Sequence, residues 1–281
     1  MLISVITINY NNVHGLERTI ESVLKQTSKD LEYIIIDGGS TDGSVDIIKH
    51  HADRINYWVS EPDRGIYNAM NKGVSKATGE YCVFMNSGDC FADEAVIEDV
   101  LKIGLKTDIV TGGIVFGSNN TFYGPKSVTL RHFFRKSLAH QASFIRTSVL
   151  REIPYDETLR IVSDWKFFID AIVINRHSYS PIDRLVGVME PGGIGTNHEI
   201  SDYEHKLVLH NLLPEYVFED YEAFLNVGSD YDRFYGAVKN SRFCNPLYTL
   251  NCCILKLITF WKKDSWTKDF HIIIHRQRGN L

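Results

Sequence analysis

Four aspartates stand where a carboxylate could take part in chemistry. Asp37, Asp63 and Asp89 each come after a run of apolar and β-branched residues that predicts a strand, and Asp164 stands beside the start of an apolar helical pattern. Ligands of open α/β sheets bind in the crevice outside the carboxyl ends of the strands. A carboxylate at that edge can bind a divalent cation or accept hydrogen bonds from a ligand.

The most informative stretch is the strand and turn at residues 81–89. The apolar run YCVFM leads directly into NSGD, where Gly88 lets the backbone turn and Asp89 supplies the carboxylate. Turns favour Asn, Ser, Gly and Asp for local reasons, so an ordinary turn residue is the alternative interpretation of Asp89. A helix N-cap is the corresponding alternative for Asp164.

Hydrophobic periodicity predicts the elements that position these residues. Strands are predicted at residues 2–9, 31–36, 55–60 and 81–85, and helical spacing follows each of them. This alternation up to residue 101 predicts βαβ units, and therefore an α/β fold with a mostly parallel central sheet flanked by helices. Because parallel strands end at one edge, the first three aspartates are expected to lie close together.

The second half of the chain has a different pattern. Short strands are predicted at residues 108–110, 113–116, 121–123, 140–144 and 185–189, with intervening helices near 130–136, 146–153 and 165–172. From residue 199 onward the pattern is helical. We therefore predict one catalytic domain over residues 1–197, with halves at 1–101 and 102–197, and a helical C-terminal extension over 198–281.

Composition bounds the class of protein. The 281 residues carry a net charge of −5 and are 44% hydrophobic, which is typical of a globular protein without the basic surface of a nucleic-acid binder. The five cysteines lack metal-like spacing and indicate a reducing compartment. Residues 2–6 read as a first strand and not as a secretory signal, so we expect a cytoplasmic protein.

One apolar segment near the C-terminus leaves two readings open. Residues 247–261 place Leu250, Ile254 and Leu257 on one helical face, and two lysines follow. Lys256 interrupts the segment, which is also too short to span a bilayer. It can pack on its own domain, or it can lie as an amphipathic helix on the inner face of a membrane and make the protein peripheral.

Five motifs follow one another along the chain: VITINYN at 5–11, SVLKQT at 22–27, IIDGGSTDGS at 35–44, DRGIYNAMNKG at 63–73 and MNSGD at 85–89. In order and spacing they resemble those of the family 2 nucleotide-sugar glycosyltransferases of bacterial polysaccharide biosynthesis, which have the GT-A fold, and the resemblance covers residues 1–195. It implies transfer of a sugar from a nucleotide-diphosphate sugar, expected to be a UDP-sugar, to a hydroxyl of a saccharide or lipid-linked acceptor.

The resemblance also assigns residues of the donor pocket. Thr7 and Tyr10 would line the nucleoside, Asp37 would contact the base, and Asp63 would help to close the pocket. Arg64 would face the diphosphate or remain a solvated surface charge.

The loop Asn86–Ser87–Gly88 would bind the diphosphate in the same comparison, and Asp89 would coordinate Mn²⁺ or Mg²⁺. These three residues depart from a more acidic form of the motif, in which position 88 is often an aspartate that holds the ribose. One carboxylate can suffice, since Mg²⁺ is commonly bound through one or two carboxylates plus water and phosphate oxygens. His198 is a candidate second ligand, and a structural histidine is the alternative.

On the acceptor side, the resemblance implies that Asp164 is the general base of a single inverting displacement. His140, Gln141 and the loop at 192–198 match places where relatives bind the acceptor or the diphosphate.

Two rival functions stay open at this point. One is a nucleotidyltransferase or dinucleotide enzyme on a similar sheet, which the missing G-x-G-x-x-G fingerprint disfavours. The other is an inactive binding or scaffold subunit, for which Asn86 and Gly88 are the only hints.

Overall fold

The computed structural model describes residues 1–117, 120–134, 136–190 and 197–223. The chain divides into two compact units, Met1–Pro214 and Glu215–Leu281. The second unit is described only over residues 215–223, which are helical. The amphipathic segment at 247–261 lies outside the described residues, and its membrane contact stays a prediction. No helix in the described ranges is long and apolar enough to cross a membrane.

Strands and helices alternate through the first unit. The strands are β1 Ile3–Asn9, β2 Leu31–Asp37, β3 Tyr57–Ser60, β4 Tyr81–Phe84, β5 Cys90–Phe91, β6 Ile109–Phe116, β7 Asn120–Tyr123, β8 Ser143–Arg146 and β9 Tyr179–Met189. The α-helices are α1 Val13–Leu24, α2 Ser44–His50, α3 Ile66–Lys76, α4 Val96–Ile103, α5 Leu130–Phe133, α6 Thr147–Glu152, α7 Ser163–Phe168 and α8 His198–Leu212.

All nine of these strands form one mixed, mostly parallel sheet in the order β3-β2-β1-β4-β8-β6-β9-β5, with β7 paired to β6. The first four strands in this order run parallel, as βαβ connections require. Strand β8 runs antiparallel to both β4 and β6, and β9 is again parallel to β6. The predicted α/β fold, with its central sheet flanked by helices, is confirmed.

The hydrophobic layers explain why strands β1 and β2 are mostly apolar along their length. Every residue of β1 is buried. Ile3 and Val5 belong to the core cluster that contains Leu16 of α1. On the other face, α3 packs so closely that a Cβ at Gly73 would lie 2.5 Å from Ile6 Cγ2. Both faces of the parallel part of the sheet are thus covered, and the polar side chains within β1 and β2 (Ser4, Thr7 and Glu32) are hydrogen-bonded inside the protein.

The largest differences from prediction lie in the second half of the sheet. Strand β9 starts at Tyr179, six residues before the predicted residue 185, because its half-buried first part mixes polar side chains with Pro181. His140–Ala142 forms a 3-10 turn where a strand was predicted, and β8 begins at Ser143. The two-residue strand β5 was not predicted, since so short a segment has no period of its own.

Candidate active site

The carboxyl ends of β1, β2 and β3 meet at one edge of the sheet. Asn9 at the end of β1 lies beside Asp37 at the end of β2, and Asp37 lies beside Ser60 at the end of β3. This register confirms that the predicted strand ends are neighbours, and it places the loops that follow them at the same edge of the sheet.

Asp37 is fully buried within this edge. Its oxygens accept hydrogen bonds from Asn9 Nδ2 at 2.7 Å, from the hydroxyls of Ser40 and Ser60 at 2.6 Å each, and from the backbone N–H groups of Gly39 and Ser40. Burial raises the pKa of Asp37, but these hydrogen bonds outweigh it and hold the pKa below its ordinary value. Asp37 therefore stabilises the turn that follows β2. To make the predicted contact with a base, its carboxylate would have to give up these hydrogen bonds.

Thr7 is also turned away from the crevice. Its side chain is completely buried, its hydroxyl donates to the Met85 carbonyl oxygen at 2.8 Å, and it lies 3.1 Å from the Tyr33 hydroxyl. In this structure Thr7 ties β1 to the residue that follows β4. Thr7 was predicted to line the nucleoside pocket, but its buried side chain contacts Met85 and Tyr33 instead.

Tyr10 and Asp63 form an open slot over Gly38. The Tyr10 side chain is 66% exposed. Asp63 Oδ1 accepts the Gly65 N–H at 2.9 Å. A Cβ at Gly38 would lie 2.5 Å from Asp63 Oδ2 and 3.2 Å from the Tyr10 ring, so only a glycine leaves room for both side chains. An aromatic ring beside a carboxylate oxygen is a suitable arrangement for a planar heterocycle with an N–H group.

The loop after β4 holds Asp89 in a buried position. Only 5% of Asp89 is exposed, and its Oδ1 accepts the Glu190 N–H at 3.0 Å. Burial raises the pKa of Asp89 above its ordinary value, which indicates that the carboxylate lacks full compensation for its charge. Thr19 of α1 fixes the loop, since its hydroxyl donates to the Asp89 carbonyl oxygen at 2.7 Å.

Glu190 occupies the side-chain space of position 88. Gly88 has a φ of +107°, and a Cβ there would overlap the Glu190 carboxylate, which forms an ion pair with Arg18. The acidic group missing from the loop is thus replaced nearby by one from the end of β9.

The loop fits a divalent cation. The Asn86 Oδ1 atom is buried without a hydrogen-bond partner, next in the same turn to the under-compensated Asp89 carboxylate. Within the described ranges, no group of three or more His, Cys, Asp or Glu side chains could hold a metal. This donor set suits an ion that takes few protein ligands and completes its shell with water and phosphate oxygens. His198, exposed at the first residue of α8, stays a predicted ligand.

Asp164 lies at the second residue of α7 and is held at both oxygens. Oδ1 accepts a hydrogen bond from the Tyr67 hydroxyl at 3.1 Å, and Oδ2 lies 2.9 Å from His140 Nδ1. Burial raises the pKa of Asp164, but the His140 and Tyr67 contacts outweigh it and lower the pKa below its ordinary value. The side chain is 19% exposed, so an ionised carboxylate remains accessible.

A hydrogen-bonded chain joins the loop after β4 to Asp164. Asn86 Nδ2 donates to His140 Nε2 at 3.1 Å, which leaves His140 Nδ1 to donate to Asp164. Asn86 and Asp164 are thereby linked, although they come from opposite halves of the chain, and Asp89 lies three residues after Asn86 in the same loop.

Two residues of the site carried no assigned role in the sequence. Tyr67 lies inside the motif at 63–73, so its position could have been noticed there. Glu190 has no local signal, because its contacts with Arg18 and Gly88 are made across the fold. Arg64, whose guanidinium pairs with Glu157 at 2.6 Å, is largely exposed.

Comparisons with known proteins agree with this architecture. A family model described as glycosyl transferase family 2 matches residues 4–169. A PGL/p-HBAD biosynthesis glycosyltransferase of Mycobacterium bovis is 31% identical over 173 residues, which cover 59% of this chain and 68% of that relative.

Two solved structures share the fold. Staphylococcus aureus TarS 1–349 in complex with UDP-GlcNAc has a TM-score of 0.64 at 20% identity, covering 86% of this chain and 76% of that one. Glucosyl-3-phosphoglycerate synthase of Mycobacterium tuberculosis, in complex with Mn²⁺, UDP and glucosyl-3-phosphoglycerate, has a TM-score of 0.55 at 17% identity, covering 76% of this chain and 81% of that one. The family resemblance read from the motifs is therefore confirmed, and the chain is a glycosyltransferase that belongs to glycosyl transferase family 2.

Proposed function

We propose that this glycosyltransferase moves a sugar from a UDP-sugar, with inversion, to a hydroxyl of a saccharide or lipid-linked acceptor during synthesis of a bacterial surface polysaccharide or other glycoconjugate. The observation that carries the proposal is Asp164, an accessible carboxylate held at both oxygens and linked through His140 to the loop of Asp89. The UDP complexes of the two similar structures and the biosynthetic role named for the mycobacterial relative support the donor and product classes.

On the donor side, the slot between Tyr10 and Asp63 would hold the base. The exposed Tyr10 ring offers a stacking face, and the second oxygen of Asp63 can accept an N–H. Uracil carries such a group at N3 between two carbonyl groups. The base-reading role predicted for Asp37 is better filled by Asp63, because Asp37 is already saturated with hydrogen bonds.

Asp89 and the free Asn86 oxygen would hold Mn²⁺ or Mg²⁺, with His198 as a proposed further ligand. When bound, the ion supplies Lewis-acid stabilisation of the charge that grows on the leaving diphosphate. Two of the chain's own residues fix the loop that carries Asp89. The Thr19 hydroxyl donates to the backbone of the loop, and the Glu190 carboxylate fills the space beside Gly88.

On the acceptor side, Asp164 accepts the proton of the acceptor hydroxyl while that oxygen attacks the anomeric carbon and the bond to the diphosphate breaks. Attack on the face opposite the leaving group inverts the anomeric carbon. Tyr67 and His140 fix the carboxylate for this contact, because each hydrogen-bonds one of its oxygens. The lowered pKa keeps Asp164 ionised at neutral pH.

A screen of nucleotide sugars with Mn²⁺ or Mg²⁺ for release of nucleoside diphosphate tests the proposal. The wild type should release UDP from at least one UDP-sugar, and chelation of the metal should stop the release. Asp89→Ala should lose the metal response, and Asp164→Asn should lose transfer while still binding UDP. Inactivity with every nucleotide sugar would favour the inactive scaffold instead, and full activity of Asp89→Ala would refute the metal assignment.

A further inference from the structure

Glu204 of α8 is a buried carboxylate that none of the sequence motifs includes. Only 5% of it is exposed, and its oxygens accept three successive backbone N–H groups, from Arg160 at 2.7 Å, Ile161 at 2.9 Å and Val162 at 3.2 Å. Consecutive backbone amides that converge on one anion form a concave binding site, and here the anion is a side chain of the same protein. Burial of a charged group is costly unless it is hydrogen-bonded in this way.

The segment that Glu204 holds leads directly into Asp164. Val162 is the N-cap residue of α7 and makes no side-chain cap, so the path of the chain into this helix depends on other contacts. Ile161 is held from two sides, because its N–H donates to Glu204 and its carbonyl oxygen accepts the Tyr67 hydroxyl. The single O–H proton of Tyr67 is shared between this carbonyl oxygen and Asp164 Oδ1, so one three-centre hydrogen bond fixes both the segment and the carboxylate.

Further contacts hold the residue after Asp164. Trp165 Nε1 donates to the Phe133 carbonyl oxygen at 2.9 Å, and the His205 ring packs against the Trp165 ring with centroids 4.4 Å apart. His205 is the neighbour of Glu204 in α8. The helix α8 thus contacts the chain on both sides of Asp164.

We propose that Glu204 is a positioning residue for the transfer reaction: by fixing residues 160–162 from α8 it sets the direction of Asp164 toward the acceptor hydroxyl. This inference rests on the proposed function of Asp164 as the base. It makes α8 part of the catalytic apparatus, whereas the motifs of the family end before it.

Glu204→Gln is the test, because glutamine keeps the size but turns one acceptor oxygen into an N–H donor that faces backbone N–H groups. We expect kcat for transfer to fall about 10- to 100-fold, the range that misplacement of a catalytic group can cost. The KM for the donor and the affinity for UDP should stay within about twofold of wild type, since the hydrogen bonds of Glu204 among the described residues go to residues 160–162 and not to the donor loops. Asp202→Asn, which removes one charge from the exposed side of the same helix, is the matched control.

A double-mutant cycle with Asp164→Asn separates positioning from general stability. If Glu204 acts through Asp164, then Glu204→Gln should change the residual transfer rate of Asp164→Asn by less than about twofold. A full multiplicative loss in that background, or a kcat equal to that of Asp202→Asn, would overturn the role. Should thermal unfolding show that Glu204→Gln is not folded at the assay temperature, Glu204→Asp replaces it with the same expected outcomes.

The two proposals fail in different ways. Unchanged transfer by Asp164→Asn would remove the base and, with it, the role of Glu204. Loss of transfer in Asp164→Asn together with unchanged kcat in Glu204→Gln would leave the base in place and remove only Glu204.

Discussion

The site has a donor edge, formed by Tyr10, Asp63 and Asp89, and an acceptor edge, formed by Asp164. The donor-edge residues lie in turns that directly follow their own strands, whereas Asp164 is held by side chains of three other segments. Asp89 is placed by its own loop, by Thr19 and by the backbone N–H of Glu190. Asp164 depends on side chains of other segments: Tyr67, His140 and, through the preceding segment, Glu204. We therefore expect substitutions of distant side chains to disturb the acceptor edge more than the donor edge.

The largest expected effects come from one substitution at each edge, and the two substitutions should change different quantities, the transfer rate and the affinity for UDP. Asp164→Asn should lower kcat for transfer about 10²- to 10⁴-fold, the usual contribution of a general base, with UDP affinity retained. Asp89→Ala should instead weaken UDP binding in the presence of Mn²⁺ and leave metal-free binding unchanged. Calorimetric titration with UDP, with and without Mn²⁺, beside a transfer assay distinguishes these patterns. Equal losses of UDP affinity in both variants would contradict the separation.

The donor edge itself is tested by Asp63→Asn. An amide at this position would point an N–H at the N3–H of uracil, so the dissociation constant for UDP should rise about 10- to 100-fold, as expected for loss of a hydrogen bond to a charged group. Cytosine has an acceptor at N3, so the affinity for CDP should fall less or rise.

Asp53→Asn, an exposed carboxylate before β3, is the control for the loss of one charge. Unchanged preference for UDP over CDP in Asp63→Asn would return the base-reading role to another residue, with Asp37 the first to examine.

Replacement of Gly88 tests whether Glu190 belongs to the donor edge. Gly88→Ala places a side chain in a left-handed conformation, which costs about 1–2 kcal/mol, and adds an overlap with the Glu190 carboxylate. Gly104→Ala has a similar positive φ of +84° but no atom within 4 Å of the new Cβ, so it carries the backbone cost alone.

The free energy of unfolding from denaturant titration should fall further for Gly88→Ala than for Gly104→Ala. A second change, Glu190→Ala, should recover the excess. If both glycine variants lose the same stability, Glu190 does not occupy the side-chain space of position 88 in solution.

The same contrast explains what the sequence could predict. The strand ends and the turn aspartates follow from hydrophobic period and turn chemistry, which are local, so the positions of Asp63 and Asp89 after predicted strands could be read from the sequence. The local pattern around Asp164 fits a helix cap as well as a base, and its predicted role came only from the family resemblance. Glu204 could not be found, because a buried glutamate in an ordinary helical pattern shows its partners only when residues 160–162 are brought against it.

The sequence pattern does not show which way a strand-end side chain faces. A strand-end aspartate has the same sequence signal whether it faces a ligand or its own turn. Asp37 and Thr7 lie within the motifs, but their side chains bond to the protein itself. Asp37 accepts hydrogen bonds from Ser40 and Ser60, and the Thr7 hydroxyl donates to the Met85 carbonyl oxygen. Glycine at position 38 is the informative residue, because it opens the space that Asp63 and Tyr10 occupy.

The smallest expected effect concerns the pH dependence of transfer. The pKa of Asp164 is lowered in part by the Tyr67 hydroxyl, so the wild-type base stays ionised at pH values below the ordinary range of a carboxyl and activity falls only when the pH drops through that lowered pKa. Tyr67→Phe removes the hydrogen bond to the ionised form, and the acid limb of the kcat profile should therefore move to higher pH. One hydrogen bond of about 1 kcal/mol corresponds to a shift of less than about one pH unit. An acid limb that moves to lower pH, or that is unchanged while kcat at neutral pH collapses, would mean that Tyr67 holds the segment at Ile161 and not the charge of Asp164.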